Sequence, residues 1–463
     1  MTTAAITSRS RSRFRCLACG DVSLKWAGRC GGCGEWNTLE ADSATVCCDS
    51  ARATALAPAS PARPICEVPV EAAEPVPTGI AELDRVLCGG LVRGSVTLMG
   101  GEPGVGKSTL LLQVAGSLAE AGLRVLYVTA EESAQQVRGR AERLGSVSDQ
   151  LYLAAETSLP HLLGHIDAVE PSVVIVDSVQ TVHDPSTPSA AGSVAQVRGV
   201  TSALVRLAKE ADVTVLLVGH VTKDGALAGP RVLEHIVDTV VSFEGDRHHS
   251  LRLVRATKHR FGSTQEVGLF SLGEAGLDPV ADPSGVFLAD RRSGEPGSVV
   301  VPTLEGRRPL LVELQALVAS TSATHPHRSS HGVDAARVSL LLAVLGRRLE
   351  VPVLGSDVYV MAVGGAKVVE PGADLPIALA VASSVTNQAL PFDMVACGEV
   401  GLGGELRAVT GFDRRLSEAA RMGFSRAIVP TSTPAVDASI RLCRVDSLHE
   451  ALLFLDRETP VGR

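Results

Sequence analysis

Gly101-Glu102-Pro103-Gly104-Val105-Gly106-Lys107-Ser108-Thr109 is a complete G-x-x-x-x-G-K-[ST] sequence, and it sits in the context that a phosphate-binding loop requires. The run Ser95-Val96-Thr97-Leu98-Met99 reads as a strand entering the loop, and Leu110-Leu111-Leu112-Gln113-Val114-Ala115 reads as the helix leaving it. Gly101, Gly104 and Gly106 permit backbone conformations closed to other residues, so that successive N–H groups converge on phosphate oxygens at the positive end of that helix. On this reading Gly101, Glu102, Pro103, Gly104, Val105, Gly106, Lys107, Ser108 and Thr109 hold ATP. Lys107 neutralises the β and γ phosphates, and Ser108 offers its hydroxyl to Mg²⁺.

Composition limits the rest. With 463 residues, 45% of them hydrophobic, the chain has enough apolar surface for two or three domains. A net charge of −8 means that contact with nucleic acid must come from local basic patches. Nowhere does an apolar run approach the ~18 residues of a membrane helix, and the arginine-rich start (Arg9, Arg11, Arg13, Arg15) leads into no apolar signal core. A cytoplasmic location without membrane contact is the expectation, and ten cysteines there argue for metal or thiols over disulfides.

Four of those cysteines, Cys16, Cys19, Cys30 and Cys33, form C-x₂-C-x₁₀-C-x₂-C, two knuckles able to close a tetrahedral Zn²⁺ site. Four sulfurs leave no open coordination position, so the site is structural, and a segment this short folds only with its metal. Gly20 and Gly34 follow the two pairs and let the backbone turn. Residues 1–40 carry six basic and three acidic side chains, a net of +3. The remaining cysteines, Cys47, Cys48, Cys66, Cys88, Cys397 and Cys443, lack ligand spacing and read as small apolar residues.

Residues 41–77 are rich in Ala and Pro and read as a semi-rigid linker. From residue 78, short apolar runs at Arg124 to Thr129, Ser172 to Asp177 and Val213 to Gly219 alternate with helical stretches, the signature of a mostly parallel α/β sheet. Val237 to Glu244 and Leu251 to Thr257 predict an antiparallel hairpin at the sheet edge. Ligands of such sheets collect at strand ends. Asp177, closing Val173-Val174-Ile175-Val176, is the expected carboxylate for the Mg²⁺ water shell. Glu131 is the expected base for the attacking water, with Glu132 as its rival, since adjacent side chains do not both point inward. His220 stands where a γ-phosphate sensor belongs, or is a structural histidine.

The order of these elements resembles the bacterial RadA (Sms) family of RecA-like DNA repair ATPases across nearly the whole chain. The matching residues are the four-cysteine finger, Gly101 to Thr109, Tyr127-Val128-Thr129-Ala130-Glu131-Glu132-Ser133, Leu217 to Gly225, and Gly229-Pro230-Arg231-Val232-Leu233-Glu234-His235. The family's Lys-Asn-Arg-Phe-Gly pentapeptide is similar to Lys258-His259-Arg260-Phe261-Gly262, with His259 where the family has Asn. The resemblance implies an ATPase ring, a hexamer, in which Lys258 and Arg260 reach the neighbour's γ-phosphate as arginine fingers do. It also implies a channel gripping single-stranded DNA by its backbone, with Lys223 and Arg231 as candidate phosphate contacts on a loop at Thr222 to Arg231. That loop and a second one, His183 to Gln196, each follow a strand that carries ATP-site residues, a position from which DNA could be coupled to ATP. Aromatic residues make up 3% of the chain, too few for stacking to be the main grip.

The last third, 291–458, resembles the proteolytic domain of Lon proteases at Val369-Glu370-Pro371-Gly372-Ala373-Asp374-Leu375-Pro376 and Gly398 to Glu405. Lon chemistry needs a serine activated by a lysine. Residues 369–377 contain no serine, and Val409 to Ser417 offers Asp413, Arg414 and Arg415 in place of lysine. Ser383 and Ser384 lie in an apolar helical run and read as packed residues. The domain therefore reads as a non-proteolytic ring scaffold, with Arg407, Arg414, Arg415 and Arg421 as candidate basic surface for duplex DNA.

The expected organisation is a four-cysteine zinc finger (1–40), a linker (41–77), a RecA-like α/β core (78–290) and a Lon-protease-like α+β domain (291–458). The function implied by the resemblance is a DNA-dependent ATPase acting with a RecA-type recombinase on branched recombination intermediates. The rival is an ATP-dependent Lon-type protease, disfavoured by the missing dyad. A circadian-clock-type ATPase ranks last, because it pairs two ATPase domains and this chain has one phosphate loop.

Overall fold

The computed structural model describes residues 14–16, 22–23, 26–36, 39–41, 64–67, 74–220, 233–245, 251–323, 325–436 and 439–458. The chain divides into two compact units, Met1–Ala72 and Ala73–Arg463. In the first, β1 (Phe14–Cys16) pairs antiparallel with both β2 (Val22–Ser23) and β3 (Leu39–Ala41). Cys16 closes β1, and Cys30 and Cys33 flank a turn.

The second unit begins with α1 (Ala81–Val86) and is built on two sheets. Among the described residues the first sheet holds nine strands: β4 (Val96–Gly101), β5 (Val125–Thr129), β6 (Leu151–Ala155), β7 (Val173–Asp177), β8 (Thr214–His220), β9 (Thr239–Gly245), β10 (Leu251–His259), β11 (Val267–Gly273) and β12 (Gly276–Pro279). Their order is β12-β11-β10-β9-β4-β8-β7-β5-β6. The six strands from β9 to β6 run parallel, and β9 to β12 form an antiparallel meander. The expected hairpin is thus present as β9 and β10, but β12, not the hairpin, is the edge. The sequence pattern missed β6, β11 and β12.

The parallel strands read as unbroken apolar runs because both faces of the sheet are covered. Met99, Val125, Tyr127, Val173, Ile175, Leu216 and Val218 pack on one side with α2 (Lys107–Glu120) and α3 (Ala134–Arg143). Val96, Leu98, Leu126, Val128, Val174, Val176, Val215 and Leu217 pack on the other with α4 (Leu159–Val169) and α5 (Val194–Ala211). The alternation follows from the two-residue strand period. Fully burying each such side chain contributes about 1.5–3 kcal/mol, and the strand ends facing the ligand side are held rigid as a result.

After α6 (Pro283–Leu288), the second sheet takes β13 (Ser298–Glu305), β14 (Arg308–Ser320), β15 (Arg328–His331), β16 (Ser356–Ala362), β17 (Met394–Ala396), β20 (Arg426–Pro430) and β21 (Arg441–Val445). Its order is β15-β16-β14-β13-β17-β20-β21, and β18 (Glu399–Val400) pairs separately with β19 (Leu406–Arg407). Strand β15 lies in a polar stretch of the sequence, residues 320–332. Helices α7 (Ala335–Arg348) and α8 (Asp374–Thr386) fill one face with β13, β14 and β16, while α9 (Phe412–Arg421) packs Phe412 and Leu416 into the other; α10 (Leu448–Glu458) ends the described chain. Ser383 and Ser384 are structural: their Oγ atoms accept the N–H of Gly297 (2.8 Å) and Val318 (2.9 Å). Among the described residues no helix is long and apolar enough to cross a membrane.

Two sequence expectations need correction here. Arg415 is not basic surface: it is 1% exposed and forms a bidentate ion pair with Glu370 at 2.5 and 2.6 Å. Cys66 and Cys88 are exposed and do not pack as apolar residues, whereas Cys397 and Cys443 do. Cys47 and Cys48 lie outside the described residues.

Candidate active site

The loop after β4 is shaped by its glycines in two ways. Gly104 (φ +79°) and Gly106 (φ +118°) occupy the left-handed region, where a Cβ is strained. Gly101 is different: it ends a regular strand, and a Cβ there would lie 2.5 Å from the Phe243 carbonyl on β9. The loop therefore needs one glycine for close approach and two for conformation. Arg252, buried on the inner face of β10, donates from Nε to the Val105 carbonyl (3.1 Å) and braces the loop from behind. Gln113 on α2 exchanges two hydrogen bonds with the Leu277 backbone of β12 (3.1 and 3.2 Å), so the helix is tied to the far edge of the sheet.

Lys107, the first residue of α2, is buried and curls back over the loop, donating to the carbonyls of Gly101 (2.7 Å) and Glu102 (2.9 Å). Burial lowers its pKa to about 8, against the opposing pull of Asp177 and Glu131. Those two carboxylates are thus close enough to act on the ammonium. Ser108 and Thr109 follow on the half-buried first turn of α2, while Glu102 and Pro103 are exposed at the loop crest.

The carboxylates arrive from adjacent strands. Asp177 ends β7 opposite Thr129, the last residue of β5, and Glu131 follows two residues on. Asp177 Oδ2 accepts from the Tyr127 hydroxyl (2.7 Å); burial, then the Asp177 charge, pushes the phenol well above its ordinary value and keeps it a donor. The Asp177–Ser178 peptide bond is cis. Ser178 Oγ donates to Glu131 Oε1 (2.5 Å), whereas Glu132 turns away into an ion pair with Arg140 on α3 (2.6 Å). The two neighbours point in different directions, and Glu131 is the one beside Lys107. The arrangement has what ATP and Mg²⁺ need: a recessed cation on a glycine loop, a helix start, a hydroxyl at Ser108 and a carboxylate at Asp177.

Sequence reasoning passed over Tyr127, Ser178 and Arg252. Arg252 was visible as a cation in phase with Val254 and Ala256 on the inward side of β10, and Tyr127 as a polar tip in an apolar strand. Ser178 carried no signal beyond its place next to Asp177.

Lys258 and Arg260 engage their own chain. Lys258 Nζ donates to the carbonyls of Glu234 (2.5 Å) and Val237 (2.8 Å), and its pKa is lowered by burial and by Arg260. Arg260 pairs with buried Asp238 (2.9 Å), whose other oxygen accepts the Val96 N–H at the start of β4 (3.1 Å). His259 bridges Thr239 Oγ1 (3.0 Å) and the Leu87 carbonyl (3.2 Å). The pentapeptide is thereby tied to the 234–238 turn and to the root of the phosphate-loop strand. In the 183–196 loop, Gln196 fixes the backbone by four hydrogen bonds to Asp184, Thr187 and Ser189. His220 ends β8 beside Gly101, but its side chain, and all of Lys223, Arg231 and Cys19, lie outside the described residues.

In the first unit, the sulfurs of Cys16, Cys30 and Cys33 lie within 4.8 Å of one another, with Cys16 and Cys33 at 3.7 Å. Ligands ~2.3 Å from a tetrahedral zinc stand about 3.8 Å apart, so these three fit that metal. In the second unit, the segments expected to hold a Ser–Lys dyad meet through Glu370 and Arg415, and buried Asp374 is clasped by Arg337. Arg421 pairs with Asp282 and Glu418, and Arg407 pairs with Glu405.

Comparison with known proteins agrees with this geometry. Residues 14–41 match the model of a rubredoxin metal binding domain, residues 61–226 that of an AAA domain, and residues 361–433 that of subunit ChlI of Mg-chelatase. The DNA repair protein RadA of Mycolicibacterium smegmatis is 50% identical over 454 residues, covering 96% of this chain and 97% of the relative. The protein of the same name from Halalkalibacterium halodurans is 46% identical over 461 residues, 98% of this chain and 100% of the relative. A KaiC-like protein from Pyrococcus horikoshii superposes with a TM-score of 0.38 at 22% identity, over 44% of this chain and 98% of its own. The architecture is a RecA-like phosphate-loop core with an N-terminal zinc ribbon and a C-terminal Lon-protease-like unit.

Proposed function

The chain belongs to the family of the DNA repair protein RadA, and on that premise we propose that it is a DNA-dependent ATPase driving branch migration and strand extension of recombination intermediates with a RecA-type recombinase. The observation that carries the reading is the convergence of Lys107, Glu131 and Asp177 at the ends of adjacent strands.

Lys107 exchanges the carbonyls of Gly101 and Glu102 for the β and γ phosphates of ATP, and loop N–H groups line the remaining oxygens. Ser108 and Asp177 would hold Mg²⁺, which when bound would supply charge neutralisation at the γ-phosphoryl group. Glu131, oriented by Ser178, takes the proton of the attacking water. The Tyr127 hydroxyl fixes the Asp177 carboxylate so that it stays in place between turnovers.

DNA is held in a ring of such subunits, a hexamer, with Lys223 and Arg231 against the backbone of a single strand. The Glu234–Asp238 turn follows that loop and is gripped by Lys258 and Arg260. A change at that turn reaches the root of β4 through Asp238, or frees Arg260 for the neighbour's γ-phosphate. Cys16, Cys19, Cys30 and Cys33 hold a structural Zn²⁺. A division near residues 41, 78 and 291 and a cytoplasmic location complete the reading.

The test is Arg260→Ala, read by nucleotide binding, by ATP turnover with and without single-stranded DNA, and by branch migration of a joint molecule. Retained nucleotide binding with lost DNA stimulation is expected; normal stimulation would show that the pentapeptide is no coupling element.

A further inference from the structure

Both tryptophans of this chain, Trp26 and Trp36, lie in the zinc ribbon, and both are exposed, at 59% and 68%. An aromatic ring of this size typically buries about 150–250 Å² when it packs in a core or interface. In the same hairpin, Arg29 and Trp36 form an antiparallel bridge, and the Arg29 guanidinium sits 5.7 Å from the centroid of the Trp36 ring. Arg29 is itself pinned, since its Nε donates to the Gly34 carbonyl (2.7 Å). A Cβ at Gly34 would crowd the guanidinium at 3.3 Å, and Gly34 takes φ +76°, so the turn is fitted to the arginine. The Trp36 indole is therefore braced by a cation yet open to solvent, and Cys30 and Cys33 anchor the turn between the two.

We propose that Trp26 and Trp36 form a base-stacking platform for single-stranded nucleic acid, a contact separate from the ATPase channel. The charge of the segment and the chemistry of stacking choose this occupant. The segment 1–40 has a net charge of +3 in a chain of −8, which suits a polyanion. Indole faces stack on any base, and a cation beside the ring suits the backbone that links stacked bases. A duplex keeps its base faces covered, so the platform selects single strands. Stacking is thus concentrated in the ribbon, away from the core that hydrolyses ATP. The inference rests on the DNA-dependent reading above.

Because the chain has two tryptophans, its tryptophan emission reports on the ribbon alone. Full-length zinc-loaded protein is titrated with a fluorescently labelled oligo(dT) and with a duplex of equal length, following emission and anisotropy together. The proposal expects emission quenched in step with anisotropy by the single strand and unaffected by the duplex. Trp26→Leu/Trp36→Leu should weaken oligo(dT) binding about tenfold or more, and Trp26→Tyr/Trp36→Tyr should restore most of it at unchanged bound zinc. Rising anisotropy with unchanged emission would overturn the platform while leaving the DNA-dependent ATPase intact. No anisotropy change at all would sink that broader reading. Emission that responds to a RecA-type recombinase and not to oligo(dT) would make the ribbon a protein contact and overturn the proposal.

Discussion

The two sheets of the second unit present similar scaffolds with opposite treatment of charge. At the end of β4, a cation and two carboxylates are brought together: Lys107 rests on two backbone carbonyls with its pKa lowered to about 8, and Asp177 accepts from a tyrosine hydroxyl. In the second sheet, Glu370 and Arg415 neutralise each other in a bidentate pair, Asp374 is clasped by Arg337, and burial pushes the neighbouring Cys397 thiol up to about 12. A recessed lysine with a lowered pKa, set beside two carboxylates, suits a site that takes a charged ligand. Charges already satisfied suit structure. On the proposed reading the first region is the reaction site and the second a scaffold, although helices and a glycine-containing turn follow a strand in each.

The contrast breaks most severely at Lys107. Lys107→Ala should lower ATP turnover by at least about 10³-fold, measured as steady-state phosphate release, without loss of thermal stability, since the substitution removes a buried cation. Glu131→Gln comes next, with a fall of about 10²-fold or more in turnover and retained ATP binding. Glu132→Gln should change turnover by less than about twofold, because that carboxylate is spent on Arg140. Equal losses in the two variants would reverse the assignment of the base.

On the scaffold side, Arg415→Met should cost about 3–5 kcal/mol in denaturant unfolding by leaving Glu370 unpaired, and adding Glu370→Leu should recover most of it. A site used for chemistry would not tolerate that double exchange. The smallest effect concerns protons. Phosphate binding restores the Lys107 charge, so between about 8 and the ordinary lysine value of 10.5 the complex holds more protons than the free protein. Nucleotide affinity should fall as pH rises through that window. Calorimetry near pH 9 in two buffers of different ionisation heat should read net proton uptake, and zero uptake would show that nucleotide binding leaves the Lys107 proton unchanged.

What the sequence revealed depended on whether a function sits in neighbouring residues or in distant ones. The phosphate loop and the Asp177 strand were legible because their chemistry is local: glycines, a lysine and an apolar run ending in a carboxylate. The direction of Glu131 relative to Glu132 depended on Ser178 and Arg140, from other elements, and became visible only in the fold. Arg415 misled for the same reason. Its amphipathic helix suggested a basic surface, but its partner Glu370 lies 45 residues away in sequence. The edge strand β12 and its neighbour β11 were missed because Gly268, Gly273 and Gly276 break the alternation expected of half-buried strands.

The most direct test of the central claim assays one zinc-loaded sample for ATP hydrolysis, with and without single-stranded DNA, and for ATP-dependent casein degradation. DNA-stimulated turnover with casein intact is the expected result. Casein degradation that needs ATP and ignores DNA would contradict it, and would move the chemistry to the sheet described here as scaffold.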